Sequence, residues 1–235
     1  MKKIVSIALV LIFVIAIFFV YLFFQKKDTS TVPLPPLSKE KNREESKEKG
    51  STLIIAFGDS LTAGYGLPLP ESYPSQLEEA LLKKGYTVKV INAGVSGETT
   101  KGNSERANFI ASQNPNIALL GIGGNDALRA LPLDETEKNM RKTIEILKSA
   151  SSSPRVYLLQ MQAPLNGGLE YKKSFDALYP KLAKEFSLPL VPFITESLFG
   201  DKKNVLPDGI HLNKRGYSIF VNDILVSEVE LFLKK

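Results

Sequence analysis

The sequence predicts an α/β protein in which a doubly wound, five-stranded parallel sheet forms one folded domain over residues 51–235. Two observations carry that expectation. From Thr52 onward, five short apolar runs alternate with longer amphipathic stretches, the pattern of strands joined by crossover helices. The first four runs are also apolar almost throughout, as parallel strands covered on both faces should be.

The strands are expected at 53–57, 87–91, 117–122, 156–161 and 190–193. Helical periodicity appears near 71–84, 98–112, 134–150 and 171–186, with a last helix at about 214–233. No internal repeat and no second domain are evident. Functional groups in such a sheet belong outside the carboxyl ends of the strands.

Residues 4–24 form a run of 21 without a charged side chain. As a helix this run spans about 31 Å, the thickness of a bilayer core. It ends in Val20-Tyr21-Leu22-Phe23-Phe24, where a cleaved signal would offer small residues. Residues 1–27 are therefore expected to be one uncleaved transmembrane helix, a cleaved signal being the alternative. Lysines flank both ends, so the positive-inside rule discriminates little. The short basic amino-terminus is expected to stay cytoplasmic, leaving the folded domain on the extracytoplasmic side of the membrane. Residues 28–50 read as a tether, stiffened by Pro33, Pro35 and Pro36 and then alternating in charge, with an isolated charged helix as the alternative.

The net charge is +5, but residues 1–50 hold nine Lys/Arg against five Asp/Glu, and residues 51–235 hold 21 against 20. The folded part is nearly neutral and has no clustered basic face, so no nucleic-acid partner is expected. Cys is absent, which removes disulfides, thiolate metal sites and Cys nucleophiles. A metal site is not expected, because one His and no Cys leave only carboxylates as ligands. The chain is expected to act as a monomer.

The first strand runs into Gly58-Asp59-Ser60-Leu61-Thr62-Ala63-Gly64-Tyr65-Gly66. Small residues there allow a sharp turn that exposes Ser60, although a Ser at that place can equally cap a helix. The stretch lacks the phosphate-loop pattern, and Thr62 excludes the Gly-x-Ser-x-Gly elbow. The only His lies in Pro207-Asp208-Gly209-Ile210-His211-Leu212-Asn213. A Ser hydroxyl needs a base of near-neutral pKa, and an imidazole needs a carboxylate to set its tautomer. Asp208, three residues before His211, can supply that carboxylate on one tight turn. Two more loops, Asn92-Ala93-Gly94-Val95-Ser96-Gly97 and Gly121-Ile122-Gly123-Gly124-Asn125-Asp126, bring backbone and an amide toward the same edge. Such groups can stabilise an acyl-transfer oxyanion, or they can simply turn the chain. Asp59 and Asp126 are read as turn-stabilising carboxylates.

Together these blocks resemble the SGNH (GDSL) hydrolase family, in the order that family requires, over nearly all of residues 52–235. The likeness is nearest to its bacterial thioesterase/arylesterase/lysophospholipase branch. Gly58 to Pro68, Asn92 to Thr100, Gly123 to Arg129 and Met161 to Gly168 all carry it. The resemblance implies a three-layer, flavodoxin-like α/β/α sandwich with no cofactor. It implies Ser60 as nucleophile, His211 as base and Asp208 as the orienting acid, with an oxyanion hole from the Ser60 and Gly94 amides and the Asn125 side chain. The implied reaction hydrolyses acyl esters, thioesters or lysophospholipids through an acyl-enzyme. Pro164, Leu165, Asn166 and Leu169, with Tyr171, are candidates to line an acyl groove. Leu212 departs from the branch, which commonly has Pro there, and this bears on the rigidity of the loop. Deacetylation of an O-acetylated polysaccharide is the nearest alternative, and a non-catalytic anchored binding module is a more distant one.

Overall fold

The computed structural model describes residues 50–234. The expected span at 4–24, and all of the tether except Gly50, lie outside the described residues. Among the described residues, no helix is long and apolar enough to cross a membrane.

Five strands, β1 (Thr52–Gly58), β2 (Val88–Gly94), β3 (Ile117–Gly121), β4 (Arg155–Gln160) and β5 (Leu190–Pro192), form one sheet. Every pairing is parallel and the order is β2-β1-β3-β4-β5. The chain therefore moves outward from β1 to β2, then crosses back past β1 to β3. Right-handed crossovers in opposite directions put their helices on opposite faces of the sheet.

The helices follow that rule. Helix α1 (Ser60–Ala63) is a single turn, and α2 (Tyr73–Lys83) packs with the C-terminal helical run. That run comprises α8 (Lys214–Ile219), a π-helical stretch (Phe220–Leu225) and α9 (Val226–Leu233). Helix α3 (Thr100–Ser112) packs on α5 (Leu133–Lys148), which in turn meets α6 (Leu169–Phe186). Two further short helices, α4 (Gly124–Leu128) and α7 (Glu196–Phe199), follow β3 and β5. Ile54, Ile55 and Phe57 of β1, with Leu119 and Leu120 of β3, are fully buried between the helical layers.

The second strand differs from expectation in two ways. It runs to Gly94 rather than ending near residue 91, because its ladder with β1 continues through Asn92 and Ala93 to Gly94. It is also covered on one face only: Val88 and Val90 are buried, while Lys89 and Ile91 face solvent. Edge strands alternate in this way because one face lacks a helix over it.

At the carboxyl edge, Gly58 pairs with Gly94 on one side and Gly121 on the other. A Cβ on Gly58 would lie 2.3 Å from both Gly121 O and Thr62 Oγ1, and one on Gly94 would lie 2.2 Å from Ala63 N. Bare backbone at these positions lets α1 sit directly on the ends of β1 and β2. That contact fixes where Ser60 begins.

Candidate active site

Ser60 is the first residue of α1, and Asp59 is its N-cap. The Leu61 N–H donates to Asp59 Oδ1 at 3.0 Å. The carboxyl of Asp59 is pushed up to about 7 by burial, which outweighs the lowering effect of the Leu61 N–H, with the nearby Asp126 adding to the rise. From the other layer, Tyr217 Oη donates to Leu61 O at 2.8 Å and ties α1 to α8.

His211 reaches Ser60 from a hairpin-like loop. Val205 and Leu212 form an antiparallel bridge, and within it the Leu206 N–H donates to His211 O at 2.7 Å. Asp208 Oδ1 accepts the N–H groups of Ile210 and His211 at 2.9 and 3.0 Å. Its Oδ2 lies 2.7 Å from His211 Nδ1, and His211 Nε2 lies 2.8 Å from Ser60 Oγ. Burial favours the neutral acid at Asp208, but the Ile210 N–H, the His211 ring and the His211 N–H together overcome it and lower this carboxyl to about 2. An anionic Asp208 is matched to Nδ1–H, which leaves Nε2 to accept from Ser60 Oγ. The Tyr65 ring lies 4.6 Å from the imidazole, centroid to centroid. Leu212, in the place where proline is common, is fully buried, so its packing and the Val205 bridge hold the loop.

Asn125 lies in the first turn of α4 and is 9% exposed. Arg129 Nη2 donates to its Oδ1 at 3.4 Å and to Gly97 O at 3.0 Å. Asp126 accepts the Thr100 N–H and hydroxyl at 2.8 and 2.6 Å, binding α4 to the start of α3 rather than closing its own turn.

Gly94 is not the loop residue expected as an oxyanion donor. It is the last residue of β2, and its N–H donates to Asn92 Oδ1 at 3.0 Å. The loop proper is the turn from Val95 to Glu98, closed by the Glu98 N–H on Val95 O at 3.1 Å. Gly97 occupies its third position with φ of +80°, which a type II turn requires. Among the described residues, the Gly97 N–H has no protein acceptor. The bond that engages the Gly94 N–H spans only two residues, so Asn92 at that spacing is the local sign that Gly94 is not the free donor of the block.

Sequence reasoning also missed Glu98 and Arg106. The Arg106 guanidinium donates to both oxygens of Glu98 at 2.7 and 2.6 Å, and to Ala93 O and Gly58 O at 2.8 and 3.3 Å. It thereby braces the carbonyl ends of β1 and β2 beneath the Ser60 turn. Its eight-residue spacing from Glu98 matches no short motif.

A cavity of about 230 Å³ opens beside Ser60 and Asn125. Its wall is largely apolar, with Leu61, Leu128, Ala163, Pro164, Phe199 and Ile210. Of the expected groove residues, only Pro164 lines it. Leu165 and Leu169 are 65% and 57% exposed outside it, because the loop after β4 turns outward as a 3-10 turn before α6 begins. Asn166 Nδ2 donates to Leu128 O at 2.7 Å, and Tyr171 Oη points at Asp126 O and Leu131 O, so both brace loops.

A family model described as "GDSL-like Lipase/Acylhydrolase family" matches residues 56–219. The chain is 36% identical over 180 residues to thioesterase 1/protease 1/lysophospholipase L1 of Escherichia coli, covering 76% of this chain and 83% of that one. It is 35% identical over 164 residues to an arylesterase of Vibrio mimicus, covering 69% and 81% respectively. The psychrotrophic esterase EstA of Pseudoalteromonas sp., solved inhibited by monoethylphosphonate, superposes with a TM-score of 0.72 at 25% identity. That superposition covers 79% of this chain and 100% of EstA.

Proposed function

The chain belongs to the GDSL-like lipase/acylhydrolase family and is a serine hydrolase of esters or thioesters, and from that premise we propose that Ser60, His211 and Asp208 perform the reaction. The observation that carries the assignment is the unbroken line from Asp208 Oδ2 through His211 to Ser60 Oγ, at 2.7 and 2.8 Å. His211 Nε2 accepts the hydroxyl proton as Ser60 Oγ attacks the acyl carbonyl. Asp208 holds the imidazole in the tautomer that leaves Nε2 unprotonated and stabilises the imidazolium that forms. The leaving alcohol or thiol takes that proton, and water then hydrolyses the acyl-Ser60 by the same route.

Negative charge on the carbonyl oxygen is met by the Ser60 N–H, the Asn125 Nδ2 amide and, in place of Gly94, the Gly97 N–H. Ser60 supports this as the first residue of a helix, where backbone N–H groups lack intrahelical partners. The apolar cavity takes the acyl portion, which favours a lipid-type ester or thioester over the acetyl group of a polysaccharide.

A fluorophosphonate probe tests the assignment. It should label wild-type protein on Ser60 and leave Ser60→Ala unlabelled; labelling of the variant would assign the nucleophile elsewhere.

Residues 4–24 are further proposed to anchor the chain in a membrane through the 28–50 tether, with the hydrolase domain on the extracytoplasmic side. The uncharged length of that run and its bulky end support this reading. Full-length protein should stay with membranes through carbonate extraction, and protease added to spheroplasts should remove the domain. Mature protein beginning between residues 25 and 50 would instead indicate a cleaved signal.

A further inference from the structure

Arg129 ends α4, one turn after Asn125. Its side chain reaches across the carboxyl edge of the sheet, and a single nitrogen, Nη2, makes both of its bonds: to Gly97 O at 3.0 Å and to Asn125 Oδ1 at 3.4 Å. Among the described residues, no carboxylate lies within 4.0 Å of this guanidinium. An exposed arginine normally serves a surface ion pair or nothing at all. This one terminates on the two residues whose N–H groups complete the oxyanion site.

The chemistry of the contact is selective. The two ends of an Asn amide have almost the same shape but opposite hydrogen-bonding sense, and rotation about χ2 exchanges them. A flipped Asn125 would aim Oδ1, an acceptor, at the developing oxyanion. Arginine has donors and no acceptor, so Arg129 favours only the orientation that places Oδ1 on itself and leaves Nδ2 for the substrate. At Gly97, the Ser96–Gly97 peptide distinguishes a type II turn from type I, and its rotation reverses the Gly97 N–H. A bond on Gly97 O holds the adjoining Gly97–Glu98 peptide, and so anchors the turn that presents the Gly97 N–H. Because both bonds leave one nitrogen, they also fix the spacing between the two donors.

We propose that Arg129 is a positioning residue of the oxyanion site, orienting the Asn125 amide and the Gly97 turn without touching the substrate. This rests on the reading of Asn125 and Gly97 as oxyanion donors.

The test is a double-mutant cycle on the full chain with p-nitrophenyl butyrate, an uncharged ester that offers a guanidinium no ionic contact. Asn125→Ala should lower kcat by about 10²–10³-fold, the loss typical of an oxyanion donor. Arg129→Ala should lower kcat by about 10-fold or more with KM within about 2-fold, because a loosened donor is lost mainly in the transition state. In the Asn125→Ala background, the same change should cost no more than about 3-fold, the remainder acting through Gly97. Arg129→Lys, which keeps a donor but loses the planar fork, should recover part of kcat. Arg129→Met, of similar length, replaces the alanine variant if that one melts early. Equal losses in both backgrounds, or a rise in KM alone, would overturn the positioning role while leaving the donors in place. An Asn125→Ala enzyme with unchanged kcat would remove the oxyanion reading, and this proposal with it.

Discussion

The two regions that meet at the Ser60–His211 contact are held by different forces. On the Ser60 side, Gly58, Gly94 and Gly121 stand in register across three strands, and α1 rests on them with no room for a side chain at Gly58 or Gly94. Asp59 is buried in the same edge and its carboxyl sits up at about 7. On the His211 side, Asp208 is more exposed and collects its bonds within three residues, which bring its carboxyl down to about 2. Ser60 is thus placed by tertiary packing, whereas the Asp–His pair largely carries its own geometry. Damage to the first region should reach fold and activity together. Damage to the second should separate them.

The largest expected effect tests that separation. Asp208→Asn keeps an acceptor for the Ile210 N–H but disturbs the His211 tautomer, so kcat should fall by about 10⁴-fold. Its melting temperature at neutral pH should stay within a few degrees of wild type. A variant that loses structure along with activity would show that the loop depends on the core as heavily as the Ser60 edge does.

Gly58→Ala should damage both properties. Its Cβ would meet Gly121 O, a backbone atom that cannot move without shifting β3. Overpacking of this kind costs about 1–3 kcal/mol or more. Displacing Ser60 by about 1 Å should lower kcat by roughly 100-fold. Thermal unfolding and turnover measured on one preparation check the pairing, and a stable, fully active variant would contradict the close approach of α1.

The two aspartates should bend stability in opposite directions with pH. The folded-state value of Asp59, about 7, lies above its ordinary 3.8. Its contribution is therefore fully present below about pH 4 and is lost as pH rises to about 7. Asp59→Asn should be insensitive over that window, so its unfolding free energy should gain on wild type from pH 4 to 7, by a few kcal/mol at most. Parallel curves would refute the buried neutral acid. For Asp208, the folded-state value of about 2 lies below the ordinary 3.8. Its contribution is present above about pH 4 and is lost as pH falls to about 2. Asp208→Asn should lack that acid-side decline, which is the smallest effect here because the side chain is 36% exposed. Identical acid melts for variant and wild type would leave Asp208 without an ionic role in stability.

Much of the fold was legible because buried parallel strands are uniformly apolar, and β1, β3 and β4 lie within a residue or two of their expected bounds. The far end of β2 was not legible, since Asn92-Ala93-Gly94 has no apolar pattern and joins the sheet only through β1. Helices α1, α4 and α7 escaped for another reason: four or five residues cannot display a 3.6-residue period. Ser60, Asp208 and His211 stood out because the chain has one His and an Asp three residues before it. Leu165 and Leu169 misled because an apolar side chain after a strand looks the same whether it lines a cavity or a rim.

By itself, then, the sequence determined what is decided over short separations: the strand–helix alternation, the Asp208–His211 turn and the glycines that permit a close approach. The tertiary structure decided which distant groups meet. Ser60 and His211 are 151 positions apart, and Gly97 and Arg129 are 32 apart. Periodicity and spacing report which face of an element is apolar and which residues share a turn. A hydrogen bond forms only within about 3 Å, and that precision exists only after the layers have packed.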